Sequence, residues 1–178
     1  MSETDDNAAS RAIEAVYDGV LENLLRAYRW AFAIRRAKLA RLTENPVYGY
    51  QFQYQLPADC LRIDAITEFT HQEWHCGYTL PVPRHQIEGR KILTDMESPV
   101  LLRYGAKIDD PSLYDSAFTE AFACALAVEV CETITQSSTK KQAAMQDYDL
   151  AIRQARQASA IERPPIQQQD TSWYTARL

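Results

Sequence analysis

The sequence predicts an α+β fold, mainly α: an antiparallel helical bundle with a small inserted antiparallel β subdomain and an extended C-terminal tail. Three observations predict it. Apolar residues recur at helical spacing near both ends, they alternate with period two through the middle, and residues 164–178 follow neither period. The expected organisation is one domain over residues 1–163 and a docking tail over 164–178. Within the domain, helices are expected at about 8–28, 111–135 and 138–161, and a β-rich insertion at about 30–108.

The first helix rests on Ile13, Val16, Tyr17, Val20, Leu21, Leu24, Leu25 and Tyr28, with Arg11, Glu14, Asp18, Glu22 and Arg26 on the other side. The period then changes. Trp30, Phe32 and Ile34 alternate with smaller or charged residues, which reads as a strand. The apolar set moves to Ala37 and Leu39, so a bulge or bend is expected near Arg35-Arg36. Helix continuing through Leu42 is the competing reading. After the Asn45-Pro46 turn, Tyr48, Tyr50, Phe52, Tyr54 and Leu56 alternate with Gly49, Gln51, Gln53 and Gln55. That pattern predicts one strand with an aromatic face and a polar face.

Leu61, Ile63 and Ile66 open another strand, and residues 67–84 read as an exposed polar excursion. A hairpin is expected to turn at Glu88-Gly89, and Val100, Leu102, Tyr104, Ala106 and Ile108 form a further alternating run. Asp110-Pro111 reads as a capped helix start. The run Phe118–Val130 is apolar nearly all round, which predicts a helix covered on several sides. Ser137-Ser138 is expected to cap the last helix, which turns Ala144, Tyr148, Ala151, Ile152 and Ala155 inward.

Composition sets the functional bounds. At 178 residues the chain has a one-domain length and needs no staples to hold a core. Its net charge of −5 leaves no basic excess for neutralising phosphates. No run approaches the ~20 apolar residues of a membrane span, and the opening residues Met1–Asp6 are acidic rather than a basic leader, so no membrane association is expected. Cys60, Cys76, Cys124 and Cys131 match no zinc spacing, and Cys124 and Cys131 are expected as small buried residues on one helix face.

The search for chemistry returns little. His71 and His75 have helical i, i+4 spacing beside Cys76, but Gln72 stands where a zinc protease needs glutamate. There is no Gly-x-Ser-x-Gly elbow, and the five glycines do not cluster into a phosphate loop. Neither cofactor, metal nor enzymatic activity is expected. Arg35, Arg36, Lys38 and Arg41 form the densest basic patch, read first as a salt-bridged strand face. The alternatives to a structural role are therefore a nucleic-acid-binding module at those four cations and a small metal-assisted hydrolase at His71, His75 and Cys76. The terminal segment carries Pro164-Pro165 and then Trp173, Tyr174 and Leu178 on an otherwise polar peptide. Disordered tails are poor in aromatics, so this one reads as a docking tail. Those five residues are its candidate partner-binding set.

In their order these segments resemble the tail tubular protein A family, the head-to-tail adaptors of short-tailed bacteriophages. Arg29-Trp30-Ala31-Phe32-Ala33-Ile34 follows the first helix, where the family has a Trp-x-Phe step. Tyr54-Gln55-Leu56-Pro57-Ala58-Asp59-Cys60-Leu61-Arg62 is the most specific match. Glu88–Asp95, Leu102-Arg103-Tyr104 and Asp110–Asp115 extend it, and Thr171–Leu178 falls where the family has its terminal tail. The resemblance covers residues 10–178. It departs at the start, where many relatives have a longer stretch with an extra short helix.

The resemblance implies a virion structural protein, made in the host cytoplasm and placed in the tail neck. It implies a homo-oligomeric ring of about twelve copies, joining the portal protein to a nozzle like tail tubular protein B. Genomic DNA would pass through that ring without sequence-specific binding. It also implies that the tail residues meet the portal or a neighbouring subunit.

Overall fold

The computed structural model describes residues 8–67 and 84–162. Among the described residues there are three α-helices: α1 (Ala8–Ala27), α2 (Ser116–Thr135) and α3 (Ser138–Ile161). Between α1 and α2 the described residues form six strands: β1 (Ile34–Leu39), β2 (Phe52–Gln55), β3 (Cys60–Thr67), β4 (His85–Glu88), β5 (Lys91–Thr94) and β6 (Val100–Ala106). They form two three-stranded antiparallel sheets, ordered β1-β6-β3 and β2-β5-β4. The described residues divide into two compact units. One holds 8–35, 59–62 and 105–162; the other holds 36–58, 63–67 and 84–104.

This overturns the expected helical bundle with a small β insertion. The described chain is about 50% helical and 24% strand, an α+β fold in which the strands are a major part. The physical reason lies in burial. Tyr54, Ile92 and Val100 are completely buried, as are Leu102, Tyr104 and Ile108 nearly so, which makes the strand segments core-forming in their own right.

In the helical unit, α1 buries Leu21, Leu24 and Leu25, spaced to lie on one face. Trp30 follows, 1% exposed, and its indole N–H donates to the Leu24 carbonyl at 2.8 Å. This bond satisfies one of the carbonyls that a helix end leaves without a partner. The chain then makes a single 3₁₀ turn over Ala31–Ala33, where the sequence predicts strand, and becomes extended only from Ile34. The Trp30 ring packs edge-on against Phe118 of α2 at 4.9 Å. Phe32 and Tyr114 meet the same Phe118 ring at 4.9 and 5.2 Å.

The start of α2 also differs from expectation. Asp110 does cap Pro111, but only a 3₁₀ turn of three residues, accepting from the Ser112 N–H at 2.9 Å. Tyr114 is extended, with ψ 140°, and its hydroxyl donates to the Ile108 carbonyl at 2.8 Å. The helix proper begins at Ser116, capped by the Asp115 carboxylate. It ends at Gln136, whose left-handed φ of 51° closes it, and Ser137 caps α3 at once by accepting from the Lys140 N–H. A connection of two residues forces α2 and α3 to lie antiparallel, and Lys141 of α3 reaches back to Glu132 at 2.8 Å.

The expectation that α2 is covered on several sides holds for one face only. Phe118, Ala121, Phe122, Ala125 and Val130 are buried, whereas Ala123, Ala127 and Ile134 are exposed. Cys124 and Cys131 are half-buried rather than buried.

In the sheet unit, β2 has 4 residues, much shorter than the alternation over residues 48–56 suggested. Gly49 takes φ +88°, outside the extended region, so alternation before it no longer reports a strand face. Val47 and Tyr48 are accordingly 98% and 87% exposed. Gln53, expected on a polar face, is buried, and its carbonyl accepts from the Leu42 N–H at 2.9 Å. Tyr54 is fully buried with its hydroxyl on the Met96 carbonyl at 2.8 Å. β4 and β5 pair Glu88 with Lys91 around a two-residue loop. Gly89 has φ +58° there, as the first position of a type II′ turn requires. The parity switch in β1 is also present: Arg35 and Arg36 are both exposed, between Ile34 and Ala37.

Two outcomes test this packing. Phe118→Ala removes the ring shared by Trp30, Phe32 and Tyr114 and should cost about 3–5 kcal/mol by chemical denaturation. Tyr48→Ala, at an exposed tip, should stay within about 0.5 kcal/mol of the parent. A third outcome concerns alkaline pH. Burial first, then the charges of Tyr17, Asp109 and Asp110, push the Tyr114 phenol up to about 12. The folded state therefore holds this proton where the unfolded chain, near pH 10, releases it. That stabilisation is complete below the unfolded value and is lost as pH rises through the folded one. The melting-temperature advantage of the parent over Tyr114→Phe should be constant below pH ~9.5 and shrink between about 10 and 12.

Candidate functional site

The helical unit fixes the point from which the terminal segment leaves. Ser159, in the last turn of α3, is 2% exposed. Its hydroxyl accepts from the Ala31 N–H at 3.0 Å and donates to the Arg29 carbonyl at 3.4 Å. One turn earlier, the Arg156 carbonyl accepts from the Tyr28 hydroxyl at 3.3 Å, and the Arg156 guanidinium lies 5.6 Å from the Tyr28 ring centre. Ala155, Ile152 and Ala151 are buried on the same helix. The end of α3 is thus held by backbone-directed polar contacts as well as apolar burial. Beyond it, Ile161 is 83% exposed. Pro164, Pro165, Trp173, Tyr174 and Leu178, the predicted partner-binding residues, lie outside the described residues.

The end of α1 is held in turn by two arginines. Arg62 Nη1 donates to the carbonyls of Arg26, at 2.9 Å, and of Tyr28. Arg26 Nη1 donates to the Leu61 carbonyl at 2.9 Å. Cations at a helix C-terminus also meet the negative end of its dipole. Gly105 makes room for this: a Cβ there would stand 3.1 Å from Arg62 Nη2. Sequence reading assigned no role to Arg62 beyond its place in the resemblance motif. Its distance from α1 along the chain hides the contact, which exists only once β3 begins beside the helix end.

The four cations of the basic patch have different surroundings. Arg35 forms an ion pair with Asp59 at 2.7 Å. Arg41 lies over the Phe52 ring at 4.1 Å and donates to Asn45 Oδ1 at 2.9 Å. Arg36 and Lys38 are exposed. His71, His75 and Cys76 lie outside the described residues, and among the described residues no three His, Cys, Asp or Glu side chains gather as metal ligands do. Nor is any described helix long and apolar enough to cross a membrane.

Several large apolar side chains have no cover in the single chain. Besides Val47 and Tyr48, they include Ile134 on α2 and Met145 and Leu150 on α3, about half exposed. A groove of about 230 Å³ on the helical unit is lined by Val20, Leu24, Ala27, Ala125, Val128 and Tyr148, with Asn23 and Glu129 at its edge.

No protein-family model matches the chain, and no curated protein matches it.

Ser159→Ala should cost about 1–3 kcal/mol, because the Ala31 N–H loses its acceptor in a half-buried place. Hydrogen exchange should locate the loss at the Ala31 amide and the last turn of α3, with the β5 amides unchanged.

Proposed function

We propose that this chain is a virion structural protein, a head-to-tail adaptor whose ring joins the portal to the tail nozzle and forms part of the DNA conduit. The single observation that carries the reading is the ordered resemblance of Trp30–Ile34, Tyr54–Arg62, Glu88–Asp95 and Asp110–Asp115 to the tail tubular protein A family. Three features of the molecule support it. Polar contacts that elsewhere serve catalysis are here spent on helix ends and turns: Asp110, Asp115 and Ser137 cap, and Arg62 and Ser159 bond backbone groups. The exposed apolar side chains Val47, Tyr48, Leu150 and Ile161 are suited to burial between protein subunits. The closing helix is pinned at its last turn, so a peptide that follows it starts from a fixed origin.

In this reading the terminal segment is the clamp. Pro164-Pro165 cannot continue a helix and stiffens the exit. Its fifteen residues reach roughly 45–50 Å when extended, enough to cross onto a second subunit or the portal. Backbone hydrogen bonds to a strand edge would supply grip, and Trp173 and Tyr174 would fill pockets, each contributing about 2 kcal/mol or more.

Removal of residues 164–178 is the test. Circular dichroism and melting should be unchanged, while attachment to DNA-filled heads is lost. Normal attachment of the truncated chain would show that the tail is not the clamp.

A further inference from the structure

The loop between β1 and β2 carries an apolar knob. Val47 and Tyr48 are 98% and 87% exposed at its tip. The loop beneath them is held at both feet. Arg41 Nη2 donates to Asn45 Oδ1 at 2.9 Å, the Gln51 N–H donates to the Asp95 carboxylate at 3.0 Å, and the Arg84 guanidinium lies over the Tyr50 ring at 4.9 Å. The helical unit carries a hollow of matching size, the groove of about 230 Å³ walled by Val20, Ala27, Val128 and Tyr148. An apolar cavity of about 150 Å³ accommodates benzene, so this one has room for the ring of one tyrosine. Asn23 and Glu129 at its edge offer acceptors to a phenol hydroxyl. The two units also differ in charge. Among the described residues the sheet unit has seven Lys and Arg against five Asp and Glu, and the helical unit has ten against thirteen. Their net charges, +2 and −3, are opposite.

We propose that the Val47-Tyr48 knob of one copy docks in this groove of the next copy, with the Tyr48 ring against Val20 and Val128. The inference deepens the adaptor reading by naming a contact between neighbours, and it rests on that reading for the ring in which the contact is repeated. Knob and groove are different surfaces, so the contact is heterologous: a docked pair still offers one open groove and one open knob. Such a contact can repeat from copy to copy around a ring, whereas an isologous contact stops at a pair. The opposite net charges favour the sheet unit of one copy against the helical unit of another, and they disfavour like units face to face. The held feet leave the loop little freedom to lose on docking. A tyrosine buried in a fitted pocket is among the side chains that most strengthen an interface.

The test is sedimentation velocity of the full chain over a concentration series. The parent should self-associate. Tyr48→Ala removes the knob and Ala27→Trp fills the groove, and each should weaken association about tenfold or more. Glu129→Lys changes an exposed side chain at the groove's edge and should weaken it about threefold, so the groove is tested even if Ala27→Trp folds poorly. Tyr48→Ala keeps its groove and Ala27→Trp keeps its knob. Mixing the two folded variants should therefore give one-to-one pairs and nothing longer, while either alone stays monomeric at the same concentration. A parent that stays monomeric would overturn the proposal, as would parent-like association of Tyr48→Ala or a mixture without pairs. Loss of association in Trp173→Ala with Tyr48→Ala unchanged would give the groove to the terminal segment and equally overturn it. DNA-filled heads that take up the parent, with no pairs in the mixture, would strike this contact and leave the adaptor role. Heads that take up no chain would strike the adaptor role, whatever the mixture does.

Discussion

The helical unit depends on the contact between Trp30 and Phe118. Trp30 is the first residue of the chain past α1 to be fully buried, and its indole N–H is tied back to Leu24. Those two facts force the chain to leave the helix axis and make the 3₁₀ turn that brings Phe32 onto the same Phe118 ring. Aromatic pairs of this geometry contribute about 0.5–1.5 kcal/mol each beyond the area they bury. Phe118 makes such contacts with Trp30, Phe32 and Tyr114, so α2 is positioned at its first turn. Its two-residue link then positions α3, and Ser159 closes the circuit onto Arg29 and Ala31, beside Trp30. Sequence neighbours of one tryptophan therefore hold both the beginning and the end of the helical unit.

The sequence makes some of this legible and hides the rest for definable reasons. Helical spacing locates α1 and α3, and Ser137 is recognisable as a cap because its chemistry is local. The Glu88-Gly89 turn is legible for the same reason, since a two-residue loop with glycine first has few alternatives. Strand partners are another matter. Alternation marks Phe52 and Tyr54 as strand residues, but their partners Thr94 and Ile92 lie some forty residues away, and nothing in a local pattern names them. The order β1-β6-β3 is equally invisible, and this is why two full sheets read as one small insertion. Asp110-Pro111 misleads in the opposite direction: it is a good helix start, but the bond from Tyr114 to Ile108 ends that turn and passes the helix to Asp115. For the site, Trp173, Tyr174 and Leu178 stand out by composition alone, whereas Arg62 does not, since its role arises from a contact across 36 residues with Arg26.

The distribution of polar chemistry bears on function. Among the described residues, Asp110 and Asp115 serve as caps, Asp59, Glu22 and Glu132 pair with Arg35, Lys107 and Lys141, and the Ser159 hydroxyl bonds backbone groups. The shared effect is to define where elements begin and end. A protein that must present fixed surfaces to several neighbours needs that definition, and it needs apolar side chains held in reserve for contacts made only on assembly. Val47 and Tyr48 are exposed on a loop of one unit, and Leu150 and Ile161 along α3 of the other.

The proposed adaptor role is decided by where the chain resides in a particle. Cryo-electron microscopy of DNA-filled heads, with and without added chain, reads this at the portal vertex. An adaptor of the proposed kind adds a closed ring of density on the outer face of the portal, with rotational order of about twelve and helices sized as α2 and α3. Heads whose portal vertex is unchanged by saturating chain, with all of the protein remaining free, would contradict it.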